Sequence, residues 1–236
     1  MADHVTMFRL KSSYALLVLT LLACSVLARL GVWQLSRLDQ RRAANAQRER
    51  TRALAPVDLP AVPGAGDYLE HPAVAYGHFL TAPSFTLINH SLRGAPGVEI
   101  VNTFELAGGA LVLVDRGFVP LESRFVAPVP PTGPVTLRGF LFTAVNDDRA
   151  PHPQGLKGDD WVRLAPAEMG AATGRTFLPY ALAPTHNTGD GRFPIVKKLQ
   201  AIDEGPHLSY AIQWFAFAAI FLVGGLLLLI SRERKA

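Results

Sequence analysis

The chain has 236 residues, 49% of them hydrophobic and only 18% charged. That balance speaks against a disordered chain and against an ordinary water-soluble domain. A single cysteine, Cys24, excludes an intramolecular disulfide, CxxC redox chemistry and a cysteine zinc site. The net charge of +4 at pH 7 is unevenly placed. Six arginines between Arg37 and Arg52 face only Asp39 and Glu49, whereas Ala53 to Ser231 holds 11 Lys and Arg against 15 Asp and Glu. Basic charge flanking apolar segments around a mildly acidic body is a membrane pattern. No nucleic-acid partner is expected.

The first element follows a short tail carrying Arg9 and Lys11. Tyr14 to Leu30 is apolar until Arg29, and the run extends through Gly31, Val32, Trp33 and Leu35. Arg29 can snorkel, and Tyr14 and Trp33 suit the two interfaces. The basic start also resembles a secretory signal, and Leu21 to Cys24 a lipoprotein cleavage box. A second span in the same chain makes a lipid anchor redundant. Thr20, Cys24, Ala28 and Gly31 form a small-residue face suited to Ala218 and Gly224 of the second span; small residues facing lipid are the plainer alternative. Ala43 to Arg52 is polar and rich in Ala, Arg and Gln, so the helix is expected to continue beyond the membrane.

All 18 prolines lie between Pro56 and Pro206, and 17 of the 20 glycines between Gly64 and Gly205. This turn-rich region reads as a small, mainly antiparallel sheet or barrel. Strands are expected at Val74–Phe79, Phe85–His90, Val98–Leu106, Ala110–Val114 and Val135–Val145, with two more at Trp161–Leu164 and Thr176–Ala183. Pro96-Gly97 and Gly108-Gly109 punctuate them, the latter as a hairpin. Leu111 to Val114 is continuously apolar and reads as a central strand buried on both faces. Pro166 to Ala171 suits a short helix.

Motifs of aqueous catalysis are missing. There is no GxSxG elbow, HExxH or P-loop, and Gly64-Ala65-Gly66 lacks the third glycine of a dinucleotide fingerprint. His71, His78, His90, His152 and His186 show no ligand spacing and read as ordinary polar residues. No enzymatic site is expected.

The last element starts at Asp203-Glu204-Gly205-Pro206, with acids and a proline at a helix start. Ala211 to Ile230 then gives twenty residues without a charge, roughly 30 Å of helix, enough to cross a bilayer core. His207, Tyr210, Ala211 and Trp214 fall on one face at the interface. An imidazole beside flat aromatic groups at that depth suits an axial haem ligand. An aromatic-belt anchor with a satisfied histidine is the plainer alternative.

Four stretches resemble the surfeit-locus-one (Surf-one, or Shy) family of cytochrome c oxidase assembly factors. They are Leu30 to Leu38, Leu87-Ile88-Asn89-His90 with Pro96 to Phe104, Val112 to Pro120, and Pro206 to Phe215. Their order and the two-span layout match the family across nearly the whole chain. Gln40-Arg41, Asp115-Arg116-Gly117-Phe118 and Gln213 depart from its usual Trp-Lys, Asn-Arg-Gly-Trp and Thr.

The resemblance implies a membrane protein with two transmembrane α-helices flanking a mainly antiparallel β extramembrane domain, an α+β arrangement. The expected division is a cytoplasmic tail at 1–11, a span at 12–36, a basic helical extension at 37–52, a β-rich extracytoplasmic domain at 53–205, a span at 206–230 and a cytoplasmic tail at 231–236. The location implied is a bacterial cell membrane, multi-pass, with the central domain outside. Counting arginines favours the opposite orientation, although long domains translocate largely regardless of charge.

The resemblance also implies a role in assembling the oxidase, with haem a as the group held or delivered to the large subunit. His207 corresponds to the histidine implicated in binding haem iron, with Tyr210 and Trp214 beside it. Arg37, with Arg41 and Arg42, would be available to haem propionates or to lipid phosphate. The implied partners are oxidase subunits, the haem a synthesis machinery and membrane lipid. The alternative is a haem-free scaffold that stabilises an oxidase subunit; a two-span sensor is the weakest option. Arg116 is expected either to close a turn beside an acid such as Glu122 or to meet an oxidase subunit.

Overall fold

In the computed structural model the described residues are 2–60, 69–126, 129–143, 159–188 and 192–234. Gly64 to Gly66, His152 and positions 144–145 lie outside them. The chain divides into two compact units, Met1–Gln47 with Ile202–Ala236, and Arg48–Ala201.

The first unit is a helix pair. Helix α1 covers Ala2–Arg52 without interruption, and the last helix, α3, covers His207–Glu233. Both are long and apolar enough to cross a membrane. The less exposed positions of α1 include Thr20, Cys24, Leu27, Gly31, Gln34, Leu38 and Asn45; those of α3 include His207, Ala211, Trp214, Ala218 and Gly225. Alternating steps of three and four residues make one straight seam along each helix. Cys24 Sγ reaches the Ala218 carbonyl at 3.4 Å, Gly31 lies against the Phe215 ring, and Gly225 against Thr20. The helices are therefore antiparallel. The small-residue face does meet α3 at Ala218, but the close glycine is Gly225. A Cβ on Gly224 would meet nothing within 4 Å.

The second unit is a barrel. Its strands are β1 (Val57–Asp58), β2 (Pro72–Leu92), β3 (Ala95–Leu106), β4 (Leu111–Pro120), β5 (Val135–Thr143), β6 (Asp160–Trp161) and β7 (Phe177–Pro184). A 3₁₀ turn covers Leu121–Val126 and a short helix, α2, covers Pro166–Thr173. The sheet runs β1-β2-β3-β4-β7-β5, and β5 pairs back onto β2 to close it. Closure leaves the five main strands in a ring without a free edge along their paired lengths.

The sheet is mixed, which corrects the mainly antiparallel expectation. Pairs β2–β3, β2–β5, β3–β4 and β5–β7 are antiparallel; β1–β2, β2–β6 and β4–β7 are parallel. The parallel β4–β7 pair arises because β5, β6 and α2 intervene before the chain returns to β4. Two expected strands, Val74–Phe79 and Phe85–His90, are one long strand, β2, broken only by irregular register after Phe79 and Leu87. Pro96-Gly97 lies inside β3. The actual turn is Arg93-Gly94, with φ of 53° and 83°, the positive pair a two-residue hairpin needs. Gly108-Gly109 does close the β3–β4 hairpin.

Alternation explains the core. Ala73 and Ala75 of β2, Phe104 and Leu106 of β3, Val112 and Val114 of β4, Leu137 and Leu141 of β5, and Tyr180 and Leu182 of β7 form one cluster inside the barrel. Their neighbours Val101, Leu113 and Ala181 point to the other face, where Phe85, Trp161, Phe177 and Met169 of α2 cover them. Leu111 to Val114 reads as a continuous apolar run because it is covered on both sides.

Candidate functional site at the start of the second apolar helix

The four residues before α3 are held by α1. Arg42 Nε and Nη2 donate to the two Glu204 carboxylate oxygens at 2.8 and 2.9 Å. Arg41 Nε donates to the Asp203 carbonyl at 3.3 Å, and Asn45 Nδ2 to the same oxygen at 2.7 Å. The Gly205 amide donates to Asp203 Oδ1 at 3.0 Å. The Arg42 hydrogen bond holds the Glu204 carboxyl below its ordinary value. The two acids expected to favour the helix dipole thus serve first to tie the incoming chain to α1.

This arrangement sets His207 as the first residue of α3, half-buried against α1. Its Nδ1 is 2.9 Å from Gln34 Oε1. Arg37, Gln40, Arg41, Ala44, Gly205, Pro206 and His207 line a cavity of about 430 Å³. Arg37 Nη1 donates to Gln40 Oε1 at 2.9 Å, which lays that guanidinium along α1.

Of the residues singled out by sequence, His207 and Arg37 therefore share one cavity. Trp214 is half-buried on the α1 seam two turns further, edge-on to Phe217 at 6.2 Å. Tyr210 is 46% exposed and off the seam. Neither aromatic lines the cavity. Arg42, grouped with Arg37 in the sequence, is engaged by Glu204. Gln34, Asn45 and the pairing role of Asp203 and Glu204 were not singled out. Extending the three-and-four spacing of Thr20, Cys24 and Gly31 would have put Gln34 and Leu38 on the seam.

The barrel holds a second polar cluster. A bulge in β4 sets Ile100 opposite Gly117 and Val101 opposite Asp115, with Arg116 the extra residue. Asp115 and Arg116 are consequently both buried, at 5% and 1% exposure. Lys197 Nζ lies 3.1 Å from Glu99 Oε2 and 3.3 Å from Asp115 Oδ2, and His90 Nδ1 lies 3.3 Å from Glu99 Oε1. Arg116 Nε donates to Thr188 Oγ1 at 2.8 Å and Nη1 to Asn102 Oδ1 at 3.3 Å, with its guanidinium 5.7 Å from the Phe79 ring centre. Burial pulls the Arg116 guanidinium down to about 10.

Arg116 is therefore not at a turn: it lies within β4, buried, with its guanidinium on Thr188 and Asn102. Two of the sequence stretches far apart in the chain, around His90 to Asn102 and around Asp115 to Gly117, converge on this cluster. Among the described residues no group of three or more His, Cys, Asp or Glu is placed to hold a metal ion.

Two helices long and apolar enough to cross a membrane bracket, in sequence, a closed mixed barrel, and this defines the class: a two-helix, single-barrel protein. The SURF1 family profile matches residues 21–219. A SURF1-like protein of Monosiga brevicollis is 30% identical over 219 residues, covering 82% of this chain and 79% of that protein. Uncharacterized SURF1-like proteins of Mycobacterium bovis and Mycobacterium tuberculosis are each 28% identical over 240 residues, covering 92% of this chain and 83% of theirs. The chain belongs to the SURF1 family, a family of cytochrome oxidase assembly.

Proposed function

We propose that this chain is a membrane-bound assembly factor for cytochrome c oxidase that holds haem a, or delivers it to the large oxidase subunit. The observation that carries the reading is the shared cavity of His207, Arg37 and Arg41 at the start of an apolar helix. The donor set fits the cargo. One imidazole is available to iron, and two guanidiniums, each with N–H groups beyond those used locally, are available to propionates. Tyr210 and Trp214 lie outside that cavity, one and two turns along α3, where they would be met by the apolar tail rather than by the ring. Haem a supplies the iron and a long apolar tail, so a holder in the membrane spares it a passage through water.

In this reading α1 and α3 span a bacterial cytoplasmic membrane at 12–36 and 206–230, with both tails inside and the barrel domain outside. Oxidase subunits, the haem a synthesis machinery and lipid are the partners. The test is purification in detergent after co-expression with haem a synthesis, with reduced-minus-oxidised spectra of wild type and His207→Ala. A haem a band in wild type that is lost in the variant supports the reading. Wild type devoid of haem a, from membranes rich in it, overturns it. Oxidase association that then survives His207→Ala would establish a haem-free scaffold.

A further inference from the structure

The structure assigns to Gln34 the task of fixing which nitrogen of His207 carries the proton, and therefore which nitrogen is open to a metal. The contact joins the two helices of the pair, from the seam of α1 to the first residue of α3 across 173 positions of sequence. Gln34 Oε1 is a pure acceptor, and it lies 2.9 Å from His207 Nδ1. A neutral imidazole has one donor nitrogen and one acceptor nitrogen. Nδ1–H donating to Gln34 leaves the lone pair on Nε2. This is the minor tautomer of histidine in water, so the protein has to hold it.

Both partners are placed by their surroundings rather than by each other. Gln34 is a half-buried seam residue between Gly31 and Leu38, which are both buried. His207 follows Pro206, in a segment fastened to α1 through Asp203 and Glu204. The hydrogen bond therefore closes between two side chains already brought to the same level of the helix pair. Metal-binding imidazoles characteristically give their other ring N–H to such an acceptor, which orients the ring and raises its basicity. Gln34 is a positioning residue here: it acts on the cargo through His207. Its consequence for haem a rests on the reading above, but its effect on the tautomer does not.

The first experiment uses the full chain in detergent without haem, with ¹⁵N-labelled histidine, and reads the His207 tautomer from two-bond ¹⁵N–¹H correlations at pH 8. Wild type is expected to carry the proton on Nδ1, Gln34→Leu to revert to mainly Nε2–H, and Gln34→Glu, which keeps an acceptor, to retain Nδ1–H. A wild-type Nε2–H tautomer overturns the assignment, as does a wild-type pattern unchanged in Gln34→Leu. If Gln34→Leu fails to fold, the wild-type and Gln34→Glu spectra still decide it.

The second experiment measures haem a retention during dilution. Gln34→Leu is expected to weaken it by about 10- to 100-fold, the usual cost of losing an outer partner of a metal ligand, while Gln34→Glu retains it. Wild-type retention in Gln34→Leu overturns the positioning role. Wild type without haem a, but with the Nδ1–H tautomer, sinks the cargo reading and leaves the assignment of Gln34 standing.

Discussion

Lys197 Nζ lies 3.3 Å from Asp115 Oδ2 inside the barrel wall, and the same ammonium reaches Glu99. One cation thus serves two acids on neighbouring strands. The two acids split. Burial, then the Glu99 charge, raises the Asp115 carboxyl to about 6. Burial also pushes Glu99 up, but the His90 hydrogen bond and the Lys197 charge outweigh it and leave Glu99 lowered. The hydrogen bond to Glu99 raises His90 above 6.5.

Native Asp115 binds its proton more tightly than the unfolded chain does, so its contribution to stability is lost as pH rises from its ordinary 3.8 through about 6. His90 acts with the same sign, its contribution being complete below 6.5 and lost as pH rises through the raised native value. The thermal midpoint of the detergent-solubilised protein is therefore expected to fall by a few degrees as pH rises from about 5 to 8, Asp115 acting up to about 6 and His90 above 6.5. His90→Gln should flatten the upper part of that fall. A midpoint independent of pH over this window in wild type would count against the cluster.

Gly117 has φ of +118°, and a Cβ there would stand 2.1 Å from the Ile195 carbonyl oxygen. Gly117→Ala combines a conformation that side chains resist with overlap against backbone that is itself bridged to Phe118. The expected loss is about 3 kcal/mol or more, seen as a collapse of the folded yield. Gly108→Ala, where a Cβ meets nothing within 4 Å, is the control and should stay within about 0.5 kcal/mol of wild type.

A Cβ on Gly225 would lie 2.4 Å from Thr20 Cγ2. Gly225→Ala should cost about 1–3 kcal/mol by overpacking the seam. Thr20→Ala in the same chain should recover part of that loss, since the offending atoms are removed. The check is a double-mutant cycle on thermal midpoints, where strictly additive effects would show that the two residues do not meet. Gly224→Ala should be silent.

Glu70 takes hydrogen bonds from Arg48 and Arg52, the latter at 2.9 Å, and its side chain is only 4% exposed. Burial pushes the Glu70 carboxyl up, but the Arg48 and Arg52 hydrogen bonds hold it below its ordinary value. Its contribution is thus present above the ordinary carboxylate range and lost as pH falls through it. Glu70→Gln should lower stability at pH 7 by about 3 kcal/mol and make the loss below pH 5 shallower. Denaturation curves at pH 7 and pH 4.5 test both, and parallel acid limbs for the two proteins would refute the assignment.

Much of the layout was legible along the chain because it depends on local composition. Twenty uncharged residues from Ala211 leave few options but a buried or spanning helix, and the confinement of proline and glycine between the apolar runs marks the turn-rich domain. Strand positions were legible through alternation, as with Val112 and Val114. Strand joins were not. Whether Val74–Phe79 and Phe85–His90 are two strands or one depends on which neighbours pair across the irregular stretch between them, and that is decided by β3 and β5. His207 could be singled out from its place at a helix start, with Arg37 nearby in kind but 170 residues away in sequence.

Only the tertiary structure decided who shares a cavity, which glycine is close, and where the charges go. Sequence spacing places side chains on a helix face, but rotation and register between two helices come from packing, so Gly225 and not Gly224 meets Thr20 and Gln34 meets His207. Arg116 looked like a surface or turn residue because nothing local reveals a bulge. A bulge is a mismatch between two strands, and its effect, the burial of consecutive Asp115 and Arg116, exists only once β3 and β4 have paired.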